Sequence, residues 1–367
     1  MIKKVVAIAV FAALSASAAN AAEIYNKNAN KLDFYGKVKG ERDFTAGKGE
    51  DATYARIGLR GETQINDAIS GFGQWEYNLN ASNAEGSQGE GKTRLAFAGL
   101  NFGDAGSLDY GRNYGVVYDI GSYADNLTEF GGDSYQFTDN GMNGRSNGLL
   151  TYRNNNFFGL VDGLALGLQY QGANDQGSKR SWDKTNGTGY GASLQYEIAD
   201  SGATVGAAYS HAEASKAVDS FGTPINTGDA EAWTVGAKYD ANAIYLATTY
   251  AETRNQTPIT AKGYYQTPYG SYDATVFADK TQNIEAMAAY VFDFGLRPSV
   301  GYVQSRATID GFGTVDVTKY VQLGAAYTFN KNFVVDAAYK FNLVKNELKD
   351  YGIVTDDQFI VGATYQF

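Results

Sequence analysis

Charged residues at alternate positions mark the first third of the chain. Lys37, Lys39 and Glu41 form one set, Arg56, Gly58, Arg60, Glu62 and Gln64 share the parity of a second, and Arg94 lies in a third segment of the same kind. Alternate side chains of an extended strand share a face. These charges therefore point one way, while Phe34 and Val38, or Ile57, Leu59 and Ile65, point the other. The stretch from Asn113 to Arg145 carries the opposite sign: Asp119, Asp125, Glu129, Asp133 and Asp139, with one base, Arg145, at its end. If this stretch lies across from the ladder of Lys37, Arg56 and Arg94, fixed charges of opposite sign face each other over a gap. Two unit charges ~8 Å apart interact by about 0.5 kcal/mol in bulk water and about 2 kcal/mol at an effective dielectric of ~20. That orients a dipolar solute and biases small ions without excluding either sign.

Covalent chemistry finds little support. There is no Cys, hence no disulfide, redox centre or thiolate metal site. The single His, His211, shares the parity of Val205, Ala207 and Tyr209, the apolar face of its segment, which is a poor place for a catalytic base. No phosphate-binding Gly loop and no His or Cys metal spacing occurs, so no enzyme activity and no cofactor are expected. Asp356-Asp357 could hold a divalent cation or bridge lipopolysaccharide, but a solvated loop is the simpler reading. The formal charge of −10 disfavours nucleic acid, whose binding relies on clustered Lys and Arg.

The elements that must position these charges are strands. Residues 1–21 are read as a secretory signal: Lys3 and Lys4, the apolar run Val5 to Leu14, then Ala19-Asn20-Ala21 as the cleavage site. Beyond it the dominant period is two. Phe359, Val361, Ala363, Tyr365 and Phe367 alternate with Gln358, Gly362, Thr364 and Gln366, and the two preceding strands repeat the pattern. The apolar faces end in aromatics, as the girdles of membrane barrels do, and the wet faces carry charges and amides as a water-filled bore requires. Short links at 66–67, 104–106, 159–163, 200–202, 240–242, 293–295 and 330–332 alternate with eight long polar stretches, near 45–52, 81–91, 113–145, 173–188, 213–229, 254–280, 306–315 and 344–356. This predicts an all-β, 16-stranded antiparallel transmembrane β-barrel, with short turns at one rim and long loops at the other. Arg or Lys facing lipid at the midplane costs about 2–4 kcal/mol, so the basic residues are forced inward. Gly36, Gly40, Gly58, Gly61, Gly71 and Gly73 are read as a small-residue outer face that packs on a second copy of the chain.

Several segments together resemble the general, non-specific porins of enteric bacteria, of the OmpC, OmpF and PhoE type. They include Ala22-Glu23-Ile24-Tyr25-Asn26-Lys27, Tyr35-Gly36-Lys37, the run Gly61 to Asn66, Gly73-Gln74-Trp75-Glu76-Tyr77, residues 93–100, 109–118 and 156–163, and the final Tyr365-Gln366-Phe367. The resemblance spans the whole chain after the signal. It implies a homotrimer in the Gram-negative outer membrane that passes small hydrophilic solutes and ions, with the third loop folded inward as a constriction. It also implies a basic side of Lys37, Arg56, Arg94 and Arg145, an acidic side of Asp125 and Glu129, and Tyr118 and Lys39 lining the eyelet. Glu85 is implied to latch onto Arg112 and Arg145 of a neighbouring subunit, and Phe367 to be recognised by the outer-membrane assembly machinery. Two departures matter. Thr128 stands where the family usually has Pro, which predicts a looser loop, and Lys39 resembles the extra inward lysine of the phosphate-type member. The overall acidity predicts weak cation selectivity, reduced by Lys39. The inward positions are charged or small rather than aromatic, which favours a general sieve over a sugar-specific channel or an adhesin.

Overall fold

The computed structural model describes residues 22–367 apart from 88–90, 178, 219–224, 226–227, 268–269 and 310–312. The signal segment, residues 1–21, lies outside the described residues. The wall comprises β1 (Asn30–Thr45), β2 (Tyr54–Asn66), β3 (Ile69–Asn80), β4 (Lys92–Asn101), β5 (Ser107–Tyr114), β6 (Arg145–Asn154), β7 (Leu164–Gln171), β8 (Gly189–Ile198), β9 (Ala203–Ala212), β10 (Ala230–Ala241), β11 (Ile244–Arg254), β12 (Lys280–Tyr290), β13 (Leu296–Ile309), β14 (Gly313–Asn330), β15 (Phe333–Asn342) and β16 (Gln358–Gln366). Each pairs antiparallel with the next, and β16 returns to β1 with Lys37 opposite Gln366 and Thr45 opposite Gln358. The ring is therefore closed. The sheet contains eighteen strands because two short pieces add to the sixteen staves. Ala22–Lys27 pairs with the other end of β1 and extends the β16 stave, and Lys48–Asp51 folds back on β1. Closure leaves the sixteen staves without an open sheet edge, which a hydrocarbon surrounding demands.

Polarity is inverted relative to a water-soluble sheet protein. On β12, Thr281, Asn283 and Glu285 are at most 1 % exposed while Ile284 is 38 % exposed. On β7, Gln169 and Gln171 are buried while Leu168 and Tyr170 are open. The exposed apolar residues include Leu194, Val205, Val235, Leu246, Val300, Leu323 and Val361, on strand after strand. An exposed apolar surface of that extent belongs in contact with lipid. Rings border it at both ends. Tyr290, Phe292 and Phe294 meet at 4.8 and 5.3 Å at the short-turn rim, where Tyr327 and Phe329 meet at 4.7 Å, while Tyr339 and Phe341 meet at 4.5 Å near the loop rim.

The seven short links all lie between consecutive staves, as the spacing predicted. The long stretches carry more structure than expected. The sixth forms a hairpin, Pro258–Thr267 with Gly270–Phe277, and the eighth carries a 3-10 turn, Asn346–Tyr351. Two readings of the glycine face change. Gly58 faces the bore, since a Cβ there would lie 2.2 Å from the Tyr35 ring. Gly36 is required by its own chain: a Cβ would sit 2.4 Å from the Arg56 carbonyl oxygen and 3.0 Å from Phe367 Cζ. Phe367 closes the barrel there, exchanging 3.0 Å backbone hydrogen bonds with Gly36 and placing its ring 5.3 Å from Phe34. Gly40 has nothing within 4 Å of a Cβ and stays open.

Candidate functional site: the constriction

The third loop enters the bore. From the end of β5, the Gly115 amide donates to the Gly144 carbonyl at 2.9 Å, so the two arms of the loop are joined at its root. A single helical turn, Tyr118–Gly121, then carries Ile120, which with Tyr123 packs on Ala208, Ala247 and Met287 of β9, β11 and β12. The wall leaves room for it. A Cβ on Gly206 would lie 2.3 Å from Ile120 Cδ1, and one on Gly301 would lie 2.4 Å from Leu127 Cδ1.

The tip is fastened to the far wall. Thr128 Oγ1 and Ser299 Oγ share a 2.8 Å hydrogen bond. The amides of Phe130, Gly131 and Gly132 donate to Gln322 Oε1 at 3.0 Å, Tyr320 Oη at 3.0 Å and Glu285 Oε2 at 3.1 Å. Ser134 donates to Glu285 from both its amide, at 3.3 Å, and its hydroxyl. The looseness predicted from Thr128 is thus offset by a side-chain hydrogen bond that Pro could not make. Gly132 has φ +64°, and a Cβ would fall 2.5 Å from Asp125 Cγ, so both backbone and space call for Gly.

On the opposite wall, adjacent strands stack the basic residues. Lys37 Nζ and Arg56 Cζ lie 5.4 and 5.5 Å from the Tyr54 ring centre. Arg56 Nε donates to Asn78 Oδ1 at 3.3 Å. Glu76, buried on β3, sits among them: it takes the Arg94 Nε bond at 2.5 Å, lies 3.9 Å from Arg56 Nε, and accepts from the Tyr35 hydroxyl at 3.2 Å. Sequence reasoning missed Glu76 as a partner of the ladder. Its inward parity, two residues beyond Gln74, is the signal that could have found it. Arg145, at the start of β6, donates to Tyr114 Oη at 3.4 Å and Thr138 Oγ1 at 3.3 Å. Tyr114 stacks on Tyr118 at 4.6 Å, and Tyr118 donates to Asp125 Oδ2 at 2.5 Å.

The loop acids do not all face the ladder. Arg153 pairs with Asp119 at 2.7 Å, and Arg112 pairs with Asp139 at 2.5 Å. Glu129 pairs with Lys39, which also lies 2.9 Å from Glu41 and 3.2 Å from Asp336. Burial and the Asp336 carboxylate push Glu129 up to about 8, against the pull of Lys39. The Glu129 carboxyl therefore holds its proton more tightly than an ordinary carboxyl does. Asp125 and Asp133 have no cation within 4 Å among the described residues. Asp125 opens to the bore, yet the enclosing wall raises it to about 6, with Tyr118, Arg145 and Arg94 pulling the other way. Two of the implied residues lie apart from this arrangement. Glu85 is exposed on a 3-10 turn of the second loop, and Arg112 is engaged by Asp139. Asp356 and Asp357 are satisfied within the eighth loop, by Lys349 at 2.8 Å and by Tyr339 and Asn342 at 3.0 and 2.8 Å. His211 lies 5.3 Å from the ring of the exposed Tyr190.

A closed barrel, wet inside and apolar outside, pinched by an inward loop with opposed charges, is a transmembrane diffusion channel. The chain belongs to the Gram-negative porins, whose family model matches residues 27–367. It is 52 % identical to outer membrane protein F of Serratia marcescens and 49 % identical to outer membrane porin F of Salmonella typhimurium, each over 100 % of both chains. The solved structure of Salmonella typhi OmpF in complex with daunomycin superposes with a TM-score of 0.84 at 47 % identity, over 94 % of this chain and 100 % of that one. The protein is an outer-membrane porin and a passive channel rather than an enzyme.

Proposed function

We propose that this porin is a general sieve with weak cation selectivity, set by Asp125 opposite the ladder of Lys37, Arg56, Arg94 and Arg145 and moderated by Lys39. The observation that carries this reading is the unequal pairing of the loop acids. Asp119, Glu129 and Asp139 each have a cation of their own, whereas neither Asp133, on the cavity beyond the constriction, nor Asp125, opposite the ladder, has one within 4 Å among the described residues. The Asp125 carboxylate therefore acts on ions in the bore. Lys39 holds three carboxylates together at the tip of the loop and lowers the negative potential there. Reversal potentials in a salt gradient test the proposal: cation preference is expected for the wild type and a larger one for Lys39→Ala. A clear anion preference of the wild type refutes it.

We also propose a homotrimer with export directed by residues 1–21, Phe367 presented to the assembly machinery, and lipopolysaccharide around the rim. The open Gly40 supports a protein-covered face on β1. A latch from Glu85 to Arg112 of a neighbour would compete with the Arg112–Asp139 pair in the same chain. Three equal closure steps in a planar-bilayer recording would support the trimer, and a single step would refute it.

A further inference from the structure

Beyond the constriction, on its loop side, the bore holds a cavity of about 570 Å³. It lies between the returning arm of the third loop, the upper parts of β14 and β15, and the roots of the sixth and eighth loops, and it is lined by residues that include Asp133, Phe137, Thr257, Tyr320, Lys340 and Val354. None of Lys37, Arg56, Arg94, Arg145, Asp125 and Glu129 lines it, although Ser134 and Tyr320, which fasten the third loop, do. Its volume is that of a small-molecule site.

The lining carries two cations, Lys319 and Lys340, and one carboxylate, Asp133. Lys340 Nζ lies 4.6 Å from the Phe130 ring centre and 5.4 Å from that of Tyr320, and no carboxylate lies within 4 Å of it among the described residues. The ring faces steady the ammonium without neutralising it. Lys319, the other cation of the lining, is paired with Asp316 at 3.1 Å. Asp43, near the same end of β1, is engaged by the Gln358 amide at 2.5 Å and by the Thr45 hydroxyl at 3.1 Å. Asp133 is exposed. Its Oδ1 accepts the Tyr320 hydroxyl at 2.7 Å, and no cation lies within 4 Å of it among the described residues. Around these charges stand the rings of Phe137 and Tyr320 and the side chains of Ile259, Val317, Ile353 and Val354.

We propose that this cavity is a transient docking site for small zwitterions with an aromatic or apolar body, the carboxylate meeting Lys340, the ammonium meeting Asp133 and the body lying against the rings. A ligand of one sign is attracted by one group and repelled by the other. A zwitterion gains from both, and its charge-assisted hydrogen bonds form beside low-dielectric side chains, where they are stronger than in bulk water. The apolar part of the lining adds burial that a polar zwitterion such as serine does not use.

The test is single-channel recording of the full chain in a planar bilayer, with phenylalanine added on the loop side. Phenylalanine should interrupt the current in a concentration-dependent way, with 3-phenylpropanoate, phenethylamine and serine each weaker. Lys340→Gln should weaken the phenylalanine effect about tenfold or more, a loss of about 1.4 kcal/mol, with Lys340→Arg retaining most of it. The proposal is overturned if 3-phenylpropanoate acts as strongly as phenylalanine, if serine does, or if Lys340→Gln leaves the effect unchanged. Should Lys340→Gln fail to assemble, the ligand comparison on the wild type decides alone. Open-channel conductance in plain salt is read from the same trace, so failure of the channel reading is distinguishable from failure of the docking site.

Discussion

Glu285→Ala should release the third loop from the wall. Glu285 is 1 % exposed, and its two carboxylate oxygens receive the Gly132 amide at 3.1 Å, the Ser134 amide at 3.3 Å and the Ser134 hydroxyl. Truncation leaves two backbone amides without their acceptor inside the barrel. Each buried donor left unmade costs about 1–3 kcal/mol, so the seated loop loses about 2–6 kcal/mol relative to a displaced one. At 1.4 kcal/mol per factor of ten, the balance between seated and displaced loop moves by roughly 30-fold to 10⁴-fold. The remaining fastenings, at Gln322, Tyr320 and the Thr128–Ser299 pair, keep the loop inside the bore, so the expected state is a restless constriction rather than an empty barrel. Single-channel recording should show more open-channel noise and added conductance levels, and liposome swelling should show a larger sugar cutoff. Glu285→Gln, which keeps one acceptor oxygen but brings an amide group toward two donors, should fall between. Noise, conductance and cutoff identical to wild type in Glu285→Ala would refute the claim that this carboxylate holds the loop.

Three smaller effects follow from the same geometry. Asp125 is raised to about 6, so it is charged above that pH and neutral below, while the facing Arg side chains stay charged. Cation preference should therefore fall as pH drops through about 6, and Asp125→Asn should flatten that dependence; a wild-type reversal potential that does not change across this range would contradict the assignment. Thr128→Val and Ser299→Ala each remove one neutral hydrogen bond, about 1 kcal/mol, so each should raise noise modestly and the double variant no further than either single one. His211→Gln should leave solute flux in liposome swelling unchanged, because His211 lies beside Tyr190 at the outer surface and away from the constriction.

The wall was legible because its physics is local. A period of two sorts side chains between lipid and water at every strand, so the inward placement of Lys37, Arg56 and Arg94 and the outward placement of Leu168, Val235 and Val361 follow from parity and the cost of a charge in hydrocarbon. The short links between staves were equally local, marked by Asn, Asp and Gly at short spacing. Gly58 shares the inward parity of Arg56 and Arg60, and only its inclusion in the small-residue outer face, across that parity, placed it wrongly.

Which charges remain open to the bore was decided by tertiary structure alone. Lys39 meets Glu129 across 90 residues, Arg153 meets Asp119 across 34 and Arg112 meets Asp139 across 27. Those pairings depend on the path of the third loop. That path is set by acceptors on distant strands, Glu285, Gln322 and Tyr320, and by the space left where Gly206 and Gly301 lack a Cβ. Periodicity along one segment carries no record of a contact with another. From residue types alone the third loop reads as a row of acids facing a row of bases, and only the folded chain shows which acids are paired with a cation and leaves Asp125 and Asp133 open to passing solutes.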